Sequence, residues 1–367
     1  MFDGWVLRFL TLRLENFEQQ MAYLRDKGFQ AIFMDEWLRI RRGEKAATGR
    51  EVCLTFDDGL LDNWVYAFPV AKKYGMKFTI FVSPECIEPR SVLRPTLEDV
   101  WSGKCKQSEL EALGYLSWDE LKAMQESGVV DVQSHTMTHA KYVSGTAITG
   151  FYYGGFKGLH PILNEHPEIR ATYMSVPDFE KQLVFGTPLF EERSAVVVKK
   201  HAVNRDFISE SQALAQKRNL ADDAEKTAFE QSVRLLSDEY LRSGKMLDHI
   251  ESEQDYKARL AYEVVDSKTV IEDKLKKPVR FLCWPHGDNN AATHVLAKES
   301  GYLATTSGKM TGERDHPDRI PRIAADFENS PWVNRQKFHF KIAAHYRRQP
   351  YYAFWSLNEL KNKVLQR

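Results

Sequence analysis

Leu14, Phe17, Met21 and Leu24 recur at helical spacing, and Gly28 follows where a helix cap belongs, so the pattern predicts an amphipathic helix. Phe29 to Met34 then reads as a short strand, and Asp35 as the cap of a second helix through Trp37 and Leu38 that ends near Arg42-Gly43. Val52-Cys53-Leu54-Thr55-Phe56 is a short apolar run that stops abruptly at Asp57-Asp58-Gly59, the signature of a buried strand closed by a turn. Trp64, Phe68, Ala71 and Tyr74-Gly75 mark a third helix, and Lys77 to Val82 a strand. A loop rich in Pro, Ser and charge, Glu85 to Gly114, leads to Ser117-Trp118-Asp119-Glu120, which opens another helix with a capping-box pattern. Val129 to Gln133 is the next β-rich run, and Ser134-His135-Thr136-Met137-Thr138-His139 follows it at once. Alternation of this kind predicts parallel strands with helices outside, and chemistry at the carboxyl ends of the strands.

From about Lys141 to Ser252 the rhythm breaks, which predicts an insertion. Within it Phe229, Val233, Leu236 and Tyr240 form one helical stripe suited to packing. Gly150 to Gly158, dense in Tyr, Phe and Gly, reads either as a packed loop or as a surface that stacks on sugar rings. The regular pattern resumes with Tyr256, Leu260, Val264, Ile271 and Leu275, a strand at Val279, a helix from Asn289 to Gly301, and last strands at Leu303 to Thr306 and Arg319 to Ala324. The expected organisation is a first barrel part over 1–140, an insertion over 141–255 packed over or beside the site, the rest of the barrel over 256–325, and a tail over 326–367 whose helix covers the outside.

Composition changes this picture only by exclusion. The 367 residues are 43% hydrophobic, with 51 basic and 51 acidic side chains, so the chain can bury a large core and has no net field favouring nucleic acid. Cys53, Cys86, Cys105 and Cys283 show no paired spacing and read as free thiols, mostly buried. No run of 18 apolar residues predicts a membrane span, and Met1-Phe2-Asp3-Gly4-Trp5-Val6-Leu7-Arg8-Phe9-Leu10 does not resemble a signal peptide, so the expected location is cytoplasmic. The oligomeric state is left open.

The candidate chemistry lies at the two strand ends. Neighbouring strand residues face opposite sides, so Asp57 and Asp58 cannot both enter the core. An Asp-Asp-Gly triplet alone is equally a solvated turn. His135 and His139, four apart, share one side of a helical turn, and imidazole is a common zinc ligand. No Glu follows His135, which excludes the His-Glu-x-x-His protease helix. Together the stretches offer two imidazoles, one carboxylate, open positions for water, and a spare carboxylate.

Thr55-Phe56-Asp57-Asp58-Gly59 and Ser134-His135-Thr136-Met137-Thr138-His139 resemble the first two signature motifs of the polysaccharide deacetylases, the NodB-homology enzymes of carbohydrate esterase family 4. Val279-Arg280-Phe281-Leu282-Cys283-Trp284-Pro285-His286-Gly287 is similar to a third, aromatic-Pro-Tyr-Gly motif of one branch, and the resemblance covers about residues 14 to 140 and 255 to 325. With the β-α rhythm it implies an α/β fold, a distorted, incomplete (β/α)7-type barrel with a long insertion. It also implies that Asp57 is the general base, that Asp58, His135 and His139 bind a divalent metal, usually zinc, and that the substrate is a carbohydrate carrying an N-acetylated sugar.

Two departures stand out. The family's Arg near the third-motif Pro is missing, and Arg322 is the substitute expected to orient the base; no clear Leu-x-x-x-His motif lies near the end to supply the acid, and His286 either fills that role or is a turn residue beside Gly287. These departures also fit a carbohydrate-binding protein that has lost turnover. A deformylase of a lipid-linked amino sugar is a further alternative.

Overall fold

The computed structural model describes residues 5–9, 13–176, 178–310, 316–325, 330–346 and 348–357. The first four residues and Leu10 of the amino-terminal stretch, and 326–329, 347 and 358–367 of the expected tail, lie outside the described residues.

The order begins β1 (Trp5–Phe9), α1 (Leu14–Asp26), β2 (Gln30–Ala31), α2 (Met34–Arg41), β3 (Glu51–Phe56), α3 (Phe68–Tyr74), β4 (Phe78–Val82), α4 (Leu97–Trp101), α5 (Trp118–Glu126) and β5 (Val130–Ser134). After the stretch described below it continues with α9 (Glu253–Ala261), α10 (Ser267–Leu275), β10 (Phe281–Leu282), α11 (Ala291–Glu299), β11 (Ala304–Thr306), β12 (Arg319–Ile320), β13 (Arg322–Ala324) and α12 (Pro331–His345). The strands pair in parallel in the order β12-β11-β10-β5-β4-β3-β1-β13, with β2 beside β3. β12 and β13 are halves of one segment separated only by Pro321, yet β12 bonds to β11 and β13 to β1. The first and last strands are therefore joined through this segment, and the sheet closes into a distorted barrel of seven staves.

Alternation along the strands sorts side chains into two layers. Val52, Leu54 and Phe56 of β3, Ile80 and Val82 of β4 and Val132 of β5 face outward and pack with Phe17, Met21 and Leu24 of α1 and Val264 and Ile271 beyond. Cys53, Phe81, Phe281, Cys283, Ala304 and Ile320 face inward. Met34, Trp37, Leu38 and Ile40 join that inner cluster, so α2 plugs the barrel.

This plug explains a local difference from the pattern. Only Gln30–Ala31 is strand, and the second helix starts at Met34 with Phe33 at the cap position and no side-chain cap bond. Asp35 lies in the first turn, where its charge suits the helix N-terminus. Burying Met34 decides the start, against the cap preference of Asp35. Ser117 and Glu120 do form the expected reciprocal capping box on α5. The loop before it holds a short helix, α4, with its own box from Thr96 and Asp99.

Residues 141–252 build a different architecture. β6 (Lys141–Phe151) pairs antiparallel with β7 (Pro188–Ser194), and β8 (His201–Val203) with β9 (Leu247–Ile250). α6 (Leu159–Glu165), α7 (Arg205–Gln216) and α8 (Asp223–Arg242) complete it. Phe229 and Val233 of α8 are fully buried with Phe151, Phe190 and Phe207, and Leu236 and Tyr240 lie partly buried beside them. Phe151 and Tyr152 of the aromatic loop are buried in packing, which takes these two rings away from any sugar. The helix over 331–345 packs against α1, with Tyr23 and Phe338 edge to face. The four cysteines are free thiols, three of them buried.

Candidate active site

β3 and β5 deliver their last residues to the same end of the barrel. Since Cys53 and Thr55 face inward, Asp57 does too, and it is buried. Asp58 is turned away from it by a left-handed backbone (φ 70°), followed by Gly59 at φ 73°, where a Cβ would come within 3.0 Å of Val82 Cγ1. A side chain at Gly59 would be strained twice over, by its φ and by Val82. Among the described residues six non-glycine residues have positive φ, and four of them are Asp58, Thr136, His139 and His286. Such conformations cost of order 1–3 kcal/mol each and persist only where surrounding structure imposes them.

The turned Asp58 meets the histidines. His135 Nε2 and His139 Nε2 both stand 3.1 Å from Asp58 Oδ1. His135 Nδ1 lies 2.8 Å from the carbonyl oxygen of Cys283, which can only accept, so Nδ1 carries a proton and Nε2 is the atom turned to Asp58 and the site. Burial would raise the Asp58 carboxyl, but the imidazoles of His139 and His135 outweigh it and hold it well below the ordinary carboxylate range. Lone-pair atoms about 3.3 Å apart are what four-coordinate zinc with bonds of about 2.0–2.2 Å requires. The donor set therefore fits a divalent cation, and the carbonyl behind His135 is the kind of outer partner that fixes a ligand's tautomer.

Asp57 has a separate partner. Arg322, delivered by the strand that closes the barrel, donates Nη1 to Oδ1 at 2.6 Å and Nη2 to Oδ2 at 2.9 Å. Burial would raise Asp57, and Arg322, with His135, overrides this and keeps its pKa below the ordinary value of 3.8. The Cys283 thiol lies 3.5 Å from the same Oδ1. Two adjacent carboxylates thus have separate surroundings, one a guanidinium and one a pair of imidazoles.

His286 stands beside this set, its ring centroid 4.4 Å from that of His139, and its buried Nε2 has no hydrogen-bond partner. Burial, with His139, Lys141 and His160 around it, pushes its pKa down to about 2, so the ring is neutral. His160 of α6 packs edge-on against it at 5.3 Å. His166 and His201 have no such contact with the set.

Sequence patterning missed two contributors. Cys283 supplies the carbonyl behind His135. Glu263, buried in a wide π-type turn over 262–266, accepts the N–H groups of Met137 and Thr138 at 3.1 Å each. An acid inside the apolar run Tyr262-Glu263-Val264-Val265 was the available signal.

Residues 44–154 match the polysaccharide deacetylase family, a span that holds both the Asp-Asp turn and the histidine loop. The segment 44–154 belongs to the polysaccharide deacetylases. YxkH of Bacillus subtilis, which carries that family name, is 30% identical over 130 residues, 35% of this chain and 38% of YxkH. The poly-β-1,6-N-acetyl-D-glucosamine N-deacetylase of Escherichia coli K12 is 26% identical over 129 residues, 35% of this chain and 18% of that protein. The matches thus span less than two-fifths of either relative. A de-N-acetylase structure from Aggregatibacter actinomycetemcomitans superposes with TM-score 0.52 at 15% identity, covering 91% of this chain and 99% of that one. The deacetylase domain of BpsB from Bordetella bronchiseptica gives TM-score 0.51 at 17% identity, covering 89% and 96%. At these identities the likeness concerns the distorted-barrel fold. Among the described residues no helix is long and apolar enough to cross a membrane.

Proposed function

We propose that this chain removes an N-acetyl group from an amino sugar of a cell-envelope polysaccharide or its precursor, with zinc held by Asp58, His135 and His139. The observation that carries the reading is the division of labour between neighbours: Arg322 grips Asp57 with both nitrogens while Asp58 faces two imidazoles. The Escherichia coli relative, named for action on poly-β-1,6-N-acetyl-D-glucosamine, supplies the substrate class.

A bound cation would supply Lewis acidity, polarising the acyl carbonyl and lowering the pKa of water. Asp57 takes the proton as the water oxygen adds to the acetyl carbon. Arg322 holds that carboxylate ionised and fixes its plane, so the base is ready at neutral pH. The carbon–nitrogen bond then breaks, and the leaving amine nitrogen needs a proton. His286 is assigned to deliver it: the ring is neutral at rest, takes up a proton from water as negative charge builds on the substrate, and passes that proton to the nitrogen, while the proton held by Asp57 returns to solvent as acetate leaves.

The test is acetate release from β-1,6-linked N-acetylglucosamine oligomers. The expected result is release that a chelator stops and added zinc restores. Oligomer binding without acetate or formate release under any metal would instead support the carbohydrate-binding alternative.

A further inference from the structure

We infer that Glu263 is a positioning residue for the proposed metal site, holding the loop between His135 and His139 in the one conformation that brings both imidazoles to Asp58. This rests on the assignment of those three residues as ligands. The loop is not helical: Thr136 has φ 65° and His139 φ 54°, so it needs bonds from outside to stay put. One carboxylate gives them. Glu263 Oε2 accepts both the Met137 and Thr138 N–H, Oε1 accepts the Thr138 hydroxyl, and that hydroxyl oxygen in turn accepts the Ala140 N–H at 3.1 Å.

Glu263 is 1% exposed, and burying a carboxylate is costly unless it is fully hydrogen-bonded. The arginines whose charge reaches it, Arg170 and Arg259, are themselves paired with Glu85 and Glu251. An apolar residue would stabilise a helix at this depth more cheaply. The wide turn over 262–266, flanked by the regular helices α9 and α10, is what aims the carboxylate at the loop. Both features point to orientation of the loop as the role.

Cobalt binding to the whole chain, followed by chelator competition and the visible absorption of bound Co2+, tests this. Residues that orient ligands typically contribute 10–100-fold to metal affinity, so Glu263→Ala is expected to weaken cobalt by about that factor and to alter the band. Glu263→Gln, which keeps an acceptor oxygen, is expected to stay within about tenfold of the parent. A Glu263→Ala protein with native near-ultraviolet dichroism, parental cobalt affinity and an unchanged band would overturn the inference. If that variant does not fold, Thr138→Val decides, since parental affinity and an unchanged spectrum there would overturn it equally. A parent that binds no cobalt sinks the ligand assignment and the inference together. Cobalt lost in His135→Ala and untouched in folded Glu263→Ala sinks this inference alone.

Discussion

Two carboxylates, a buried one in the barrel and a half-buried one in the 141–252 stretch, are shifted in opposite directions. Asp57 lies at the end of a barrel strand; burial pushes its pKa up, yet Arg322 brings the net shift below 3.8. Glu192 lies on β7 opposite Val143, and burial pushes it from 4.5 to about 7 against only a weaker pull from Lys141. Burial acts alike on both, so the partner decides the sign. Barrel closure places that partner, because the segment Arg319–Ala324 must bond to strands on both sides and so fixes where Arg322 stands. On the antiparallel pair β6–β7, the charge that opposes burial at Glu192 is Lys141, and among the described residues no guanidinium pairs with it.

The largest effects should come from separating the two neighbours at the barrel rim. Asp57→Asn is expected to keep its metal and lose about 10²–10⁴-fold in turnover, the usual contribution of a general base. Asp58→Asn is expected to lose metal first. Elemental analysis beside acetate release distinguishes them, and equal metal content with equal activity in both would break the comparison at its root.

Next in size is Arg322→Met, which leaves Asp57 buried and unpaired. Removing one partner of a buried pair typically costs about 3–5 kcal/mol. The sign follows from linkage: the depressed Asp57 contributes stability that is present above its unfolded pKa, near 3.8, and is lost as pH falls through the folded value. Without Arg322 burial is opposed mainly by His135, so the acid limb of the activity profile should move up in pH. An acid limb that stays where the parent has it would show that Arg322 does not hold the base.

His286→Gln is expected to lower the maximal rate on the order of a hundredfold with metal content unchanged, the lower range of a general acid's contribution. A rate within a few-fold of the parent would move the proton donor to His160, the ring packed on it.

The strand ends were legible in the sequence because each apolar run stops at a polar cluster, and period-two alternation says that Asp57 and Asp58 cannot both face inward. Arg322 was reached through the family resemblance, as the substitute in Arg319-Ile320-Pro321-Arg322 for an arginine missing beside Pro285. Glu263 showed only as an acid inside an apolar run, and its partner was hidden, because the bond to Thr138 joins positions 125 apart in sequence. Asp35 misled for a related reason: it is a good capping residue, but the demand to bury Met34 and Trp37 inside the barrel sets the helix start. The antiparallel pairs of 141–252 left little signal, since β6 runs through mostly half-exposed residues with no clean inside and outside.

The smallest expected effect lies in that stretch and carries the opposite sign from Asp57. Glu192 binds its proton more tightly folded than unfolded, so between pH 4.5 and about 7 the folded protein holds more protons than the unfolded chain. The advantage is complete below the unfolded value and is lost as pH rises through the folded one, where the charge must be buried. The parent should therefore lose a little stability from pH 5 to pH 8, and Glu192→Gln, which is neutral throughout, should flatten that part of the profile while leaving the loss at acid pH intact. Urea unfolding at the two pH values measures it. A profile with the same slope in both proteins would mean that Glu192 titrates as an ordinary carboxylate, and the contrast between barrel and insertion would then reduce to Arg322 alone.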